Sequence, residues 1–351
     1  MMLNRVLFQA ALMFLVALAI SFCATPFIRT ISIRLNILDL PNRRKIHKDA
    51  TPLLGGLAIY LGVIIALLLN LKDVRFLMPL LATATVILIV GVINDIRGLS
   101  TQTRLISQTL CALILIVTGH HIDFLPNNLW GDMGEVLVTI IWVVGITNAF
   151  NYLDGMDGLA AGSAVLNLFC FSAILYNSGQ FSLMLFALAL MGGCLGFLPY
   201  NFKRDKIFLG DAGSTFLGYV LAGVALVGNW ASDDIVKISI PVLIMGVPIF
   251  DMIFTTILRI RDGKVKTVQE WLAFAGKDHF HHSLVDLGLP TRGAVVLIYL
   301  ITFSLGISAI MVSGGRARDA FLSLLQAGIT LWVLAVLIVI GKRRRSGWSK
   351  P

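Results

Sequence analysis

The run Asn148-Ala-Phe-Asn151-Tyr-Leu-Asp154-Gly-Met-Asp157-Gly-Leu puts two carboxylates and two carboxamides where one long apolar segment ends and the next begins. Ionisable groups at membrane depth are costly and are usually retained for function. A second stretch, Phe208-Leu-Gly-Asp211-Ala-Gly-Ser-Thr, repeats the arrangement between two other apolar segments. Such residues are hard oxygen ligands. Mg²⁺ takes one or two carboxylates and completes its shell with water and substrate phosphates. Together the two stretches point to a polytopic membrane enzyme whose acidic face handles a metal and phosphates.

Asn148, Asn151 and Asp154 are spaced by three, so a continuing helix would carry them on one face. Gly155 and Gly158 signal a break where backbone can line a polar cavity. The plainer reading is a capped turn between helices, since Asn, Asp and Gly are capping residues. Three polar partners before the break exceed what a cap requires. For Asp211 the plainer reading is a helix N-cap.

Other loops add candidates. The stretch from Asp39 to Gly56 carries Arg43, Arg44, Lys45, His47 and the pair Gly55-Gly56, small residues that allow close helix packing or a ligand's approach to backbone N–H groups. Asn94, Asp95 and Arg104 frame the next polar loop; as a plain interfacial ion pair, Asp95 with Arg104 is worth little. Residues 259–293 hold Arg259, Asp262, Glu270 and Asp278, then His279-Phe-His281-His282, three of the six histidines. Zinc is discounted there for want of a Cys or a tidy fourth ligand. The stretch reads as a polar, partly amphipathic arm, against the plainer reading of an interfacial helix. Asp251 requires a polar partner that the sequence does not name.

The elements that must position these residues are helices. Of 351 residues, 57% are hydrophobic and 13% charged, against about 25% charged in a soluble domain. Eleven apolar runs recur, near 6–28, 53–70, 76–93, 105–119, 136–149, 159–176, 181–199, 213–228, 235–258, 294–312 and 320–340. Most approach the length that spans about 30 Å of hydrocarbon as helix. The expectation is all-α: a single membrane domain, 1–351, of about eleven transmembrane helices. Only Arg5 precedes the first run while Arg29 and Arg34 follow it, which argues for a retained helix rather than a cleaved signal.

Net charge is +9, and its placement decides orientation. The loops 29–52, 94–104, 200–212 and 259–293 with the tail 341–351 hold 22 of the 28 Lys and Arg. By the positive-inside rule the N-terminus lies outside and the C-terminus in the cytoplasm. The tail Lys342-Arg-Arg-Arg345 meets anionic headgroups, and the basic balance implies no nucleic acid. The cytoplasmic loops 29–52, 94–104, 150–158, 200–212 and 259–293 hold nearly every unusual residue and are expected to form the active site. Four cysteines, at 23, 111, 170 and 194, lie in apolar segments without CxxC spacing and read as buried free thiols.

Taken as a set, these residues resemble the polyprenyl-phosphate N-acetylhexosamine-1-phosphate transferases (glycosyltransferase 4, MraY-like). The resemblance runs from Asp39 to about Leu289. It rests on the Pro41–Gly56 loop with Arg44, Lys45 and His47, on Asn148–Gly162, Phe208–Gly218 and Pro248-Ile-Phe-Asp251, and on His279–His282. The His-Phe-His-His form is nearest to the WecA-like undecaprenyl-phosphate GlcNAc-1-phosphate transferases.

That resemblance implies a reaction. Undecaprenyl phosphate attacks the β-phosphate of a UDP-sugar, UMP leaves, and cell-surface polysaccharide synthesis begins at the cytoplasmic face of a bacterial inner membrane. It implies Mg²⁺, or Mn²⁺ in its place, held by Asn151 and Asp211. Asp95, Asp154 and Asp157 are implied as catalytic acids. Substrate binding falls to Lys45, His47, Arg104, His279, His281 and His282. Membrane lipids are implied partners, with a homodimer.

One departure stands out. The family carries two acids where this chain has Asn94-Asp95. Either Asp95 serves as base, or no base is needed because the acceptor phosphate is already largely ionised, or the protein is altered. Two competing functions follow from the sequence: a transporter or flippase for a polyprenyl-linked substrate, and a non-catalytic relative that binds UDP-sugar without releasing UMP.

Overall fold

The computed structural model describes residues 2–40, 49–69, 75–202, 207–267, 270, 276 and 278–348. The described chain is almost entirely helical, and forms two compact units, Met1–Trp230 and Ala231–Pro351.

The first unit holds α1 (Met2–Arg34), α2 (Gly55–Leu68), α3 (Met78–Arg97), α4 (Thr101–Val117), α5 (Leu129–Leu153), α6 (Leu159–Asn177), α7 (Phe181–Asn201) and α8 (Gly210–Val227). A short antiparallel pair, β1 (Leu38–Asp39) and β2 (Thr51–Pro52), joins α1 to α2. Starts and stops follow capping chemistry. Ser100 caps α4 by accepting from the Thr103 N–H, and Asn128 caps α5 by accepting from Trp130 and Gly131.

Helix α8 is the spine of this unit, buried at every position from Ala212 to Ala225. Small residues let its neighbours approach. A Cβ on Gly56 would lie 2.1 Å from the Gly213 Cα, so α2 meets α8 backbone to backbone. Helix α1 packs on α7, where a Cβ on Gly192 would lie 2.2 Å from the Phe14 carbonyl oxygen. The first apolar run is thus an integral helix of the unit.

The second unit holds α9 (Asp234–Ile244), α10 (Gly246–Arg261), α11 (Phe280–Asp286), α12 (Thr291–Val312) and α13 (Ala317–Trp348). The run 235–258, expected as one helix, is two, bent by 76° at Met245. Pro248 explains the break: it has no N–H to offer the Ile244 carbonyl, and its ring crowds that carbonyl.

Among the described residues, eight helices are long and apolar enough to cross a membrane, or nine counting the bent pair as one. The expected runs 53–70 and 105–119 form α2 and α4, apolar helices of 14 and 17 residues. Cys111, Cys170 and Cys194 are buried, whereas Cys23 is exposed on α1, and all four are free. That corrects the expectation for Cys23: its segment is apolar, but its side of α1 is not covered.

Candidate active site

In the first unit the polar residues converge on Asp211. Helix α8 begins at Gly210, whose φ of +75° suits glycine, and Asp211 follows in the first turn. Asp211 is therefore not the N-cap. The capping is done from another helix: Asp95 accepts the Asp211 N–H on Oδ1 at 2.9 Å and the Ala212 N–H on Oδ2 at 3.1 Å. Both carboxylate oxygens of Asp95 are thereby placed on the amide end of α8, where the helix dipole also favours an anion.

The side chain of Asp211 receives three donors. Asn94 Nδ2 donates to Oδ2, Arg104 Nη1 reaches the same oxygen at 3.3 Å, and Asn151 Nδ2 donates to Oδ1 at 2.7 Å. Arg104 thus pairs with Asp211, not with Asp95 as adjacency in sequence suggested. Asn151 also donates to Ser214 Oγ at 2.9 Å, which leaves its carbonyl oxygen for another partner. Three donors from three helices mark Asp211 as the shared acceptor of the group.

The spacing Asn148, Asn151, Asp154 resolves into two roles. Asn148 donates to Gln108 Oε1 at 2.6 Å, one turn along α4 from Arg104, while Asn151 faces α8. Helix α5 stops at Leu153, so Asp154 is its C-cap and no longer shares the helical face. The loop after it is fastened by Asn201, which accepts the Gly158 N–H at 2.6 Å and donates to the Ile207 carbonyl at 2.9 Å. Burial, then the negative charges of Asp211, Asp95 and Asp157, push the Asp154 carboxyl well above its ordinary pKa. Gln108, Asn201 and Ser214 were not singled out from sequence. For Gln108 the available signal was a carboxamide in an apolar run, one turn past Arg104.

These residues fit Mg²⁺ by donor chemistry. The Asp211 carboxylate and the Asn151 carboxamide oxygen, which has no partner among the described residues, are a hard oxygen pair, with Asp154 and Asp157 on the next loop. Among the described residues no group of three or more His, Cys, Asp or Glu could hold a metal by itself. A cation here needs ligands from water or substrate, as Mg²⁺ at phosphates does. Lys45 and His47 lie outside the described residues.

In the second unit the histidine cluster is anchored by the residue whose partner the sequence did not name. Asp251 accepts the Phe280 N–H at 2.6 Å and the Thr255 hydroxyl at 3.1 Å, and lies 3.1 Å from His279 Nδ1. On the far side of that ring, Arg259 Nη2 lies 3.3 Å from Nε2. Arg259 also grips Asp278 with two N–H groups, at 2.9 and 2.7 Å. The network assigns the Nδ1–H tautomer to His279, donating to Asp251 and accepting from Arg259. Burial opposes the charge on Asp278, but the Arg259 fork outweighs it and lowers its pKa.

His281 is buried, and among the described residues neither ring nitrogen has a hydrogen-bond partner. Burial, chiefly, lowers its pKa to about 3, so the ring is neutral at physiological pH. His282 lies beside it, ring centres 4.2 Å apart.

Known proteins match this chain at length. The model of glycosyl transferase family 4 matches residues 77–229. A probable undecaprenyl-phosphate N-acetylglucosaminyl 1-phosphate transferase of Bacillus subtilis is 35% identical, over 96% of this chain and 92% of its own. A decaprenyl-phosphate N-acetylglucosaminephosphotransferase of Mycolicibacterium smegmatis is 32% identical, over 95% and 86%. An undecaprenyl-phosphate alpha-N-acetylglucosaminyl 1-phosphate transferase of Yersinia pestis is 30% identical, over 82% and 79%.

Proposed function

The chain belongs to glycosyl transferase family 4 as a membrane phosphotransferase, and from that membership we propose that it moves N-acetylhexosamine-1-phosphate from a UDP-sugar to undecaprenyl phosphate. An acceptor phosphate oxygen bonds to the sugar-bearing phosphorus, the bond to the UMP oxygen breaks, and UMP leaves. The product initiates a cell-surface polysaccharide. The fold runs as eleven crossings with its N-terminus outside, its C-terminus cytoplasmic and the reaction at the inner face of the bacterial inner membrane. The one-sided distribution of Lys and Arg supports that orientation.

The observation that carries this reading is the convergence of Asn94, Arg104 and Asn151 on one carboxylate, Asp211, at a helix start. Phosphoryl transfer needs positioning and charge neutralisation more than covalent help. Asp211 and Asn151 are the residues that would hold Mg²⁺, which when bound supplies positive charge to the phosphates. Arg104 holds a phosphate oxygen, exchanging its bond to Asp211 for one to substrate. Asp154 and Asp157 form the acidic surround. Asp95 holds the start of α8, and with it Asp211, in place. Lys45 and His47 of the first loop add substrate contacts. His279, fixed by Asp251 and Arg259, recognises the sugar-nucleotide together with His281 and His282.

The test is UMP release by the purified chain with undecaprenyl phosphate and a panel of UDP-N-acetylhexosamines, with and without EDTA. Release with one sugar, lost in EDTA and restored by Mg²⁺, is expected. No release with any of them overturns the donor assignment. Release that survives EDTA overturns the metal.

A further inference from the structure

Asn94 is held at both ends of its carboxamide. Its Oδ1 accepts the Leu99 N–H at 2.7 Å, so Nδ2 is the end turned to Asp211, where it donates to Oδ2. The network thereby fixes which way the amide points. A carboxylate offers about four lone-pair positions, and three of those on Asp211 carry donors. An aspartate at 94 could accept from Leu99 equally well. It would, however, set a second carboxylate against Asp211, with only a proton or a cation to share between them. Asp95 does not replace that missing ligand, because both its oxygens are on the amides of α8.

We propose that Asn94 is a positioning residue that keeps this face of the site at a single carboxylate, so that a divalent cation binds there only together with the phosphates of the nucleotide. The inference rests on the reading of Asp211 as a cation-holding residue. Its physical basis is charge. The Arg104 guanidinium beside Asp211 offsets that carboxylate, and the uncharged amide adds no further anion. A cation therefore gains little from this face until phosphate oxygens arrive with it. Asp154 and Asp157 are present whatever stands at 94, so substitution there isolates the effect.

The test measures Mn²⁺ binding by the electron paramagnetic resonance of the free ion. It uses the full chain in detergent, with and without UDP-N-acetylglucosamine. Wild-type Mn²⁺ affinity is expected to rise at least about 10-fold with nucleotide, an ordinary coupling between two ligands. Asn94→Asp is expected to bind Mn²⁺ alone at least about 10-fold tighter than wild type and to lose most of that coupling. Asn94→Ala, which removes the amide without adding a carboxylate, gains neither. Equal wild-type affinity with and without nucleotide overturns the inference, as does a folded Asn94→Asp that binds no tighter. So does an Asn94→Ala that tightens as much as Asn94→Asp. If Asn94→Asp does not fold, the wild-type comparison decides. Asp211→Asn separates the two levels: if it leaves Mn²⁺ binding with nucleotide unchanged, the cation role of Asp211 itself fails.

Discussion

Arg104 and Asp211, 107 residues apart in the chain, lie 3.3 Å apart between α4 and α8, with side chains 26% and 30% exposed. A partly exposed pair of this kind adds about 0–1 kcal/mol to stability. Its geometry matters more for what it presents, a guanidinium set beside the carboxylate that also meets Asn94 and Asn151.

Arg104→Ala should therefore separate stability from activity. The apparent melting temperature is expected to move by no more than a few degrees, while kcat/KM for UMP release falls about 100-fold, the loss typical of one group that stabilises charge in the transition state. A variant that melts early but turns over normally would contradict the assignment.

Asp95 should behave in the opposite way. Asp95→Asn keeps one acceptor but turns an NH₂ toward an amide of α8, leaving a buried donor unpaired at about 1–3 kcal/mol. Thermal unfolding is expected to drop well below that of Arg104→Ala. An unchanged melting curve would show that Asp95 does not hold the helix start.

Close approach of α2 to α8 predicts a strong glycine requirement. In Gly56→Ala the new Cβ meets the Gly213 Cα at 2.1 Å, backbone on both sides, so a helix must move. Overpacking of this kind costs about 1–3 kcal/mol. Gly314→Ala, with open space around it, serves as the control and should melt like wild type. Equal melting of the two variants would refute the packing.

His281 predicts an acid sensitivity. Its folded pKa of about 3 lies below its ordinary value of 6.5, so the unfolded chain takes the proton first. The contribution to stability is whole above about pH 6.5 and is lost as pH falls toward 3, by roughly 1.4 kcal/mol per pH unit. Between pH 7.5 and 5 the wild type should lose melting temperature more steeply than His281→Phe. Parallel slopes would rule out His281 as the source.

Much of this molecule was legible from local pattern. Apolar runs dictate helices wherever backbone groups lack water to bond, and each of the helices long enough to cross a membrane lies over an expected run. The residues of Asn148–Asp157 and of Phe208–Thr215 announced themselves because polar groups are expensive beside such runs. What local pattern could not supply was pairing. Sequence adjacency favoured Asp95 with Arg104. In the fold Asp95 takes the amides of α8, Arg104 takes Asp211, and Asp251 finds His279 and the Phe280 amide 28 and 29 residues away. Likewise the spacing of Asn148, Asn151 and Asp154 named a shared face, but where α5 ends removed Asp154 from it. Composition and periodicity act over a few residues and determine helices, breaks and the polar residues to watch. Which donor meets which carboxylate depends on how helices distant in sequence come to lie side by side, and glycines such as Gly56 and Gly213 set that only once the chain has packed.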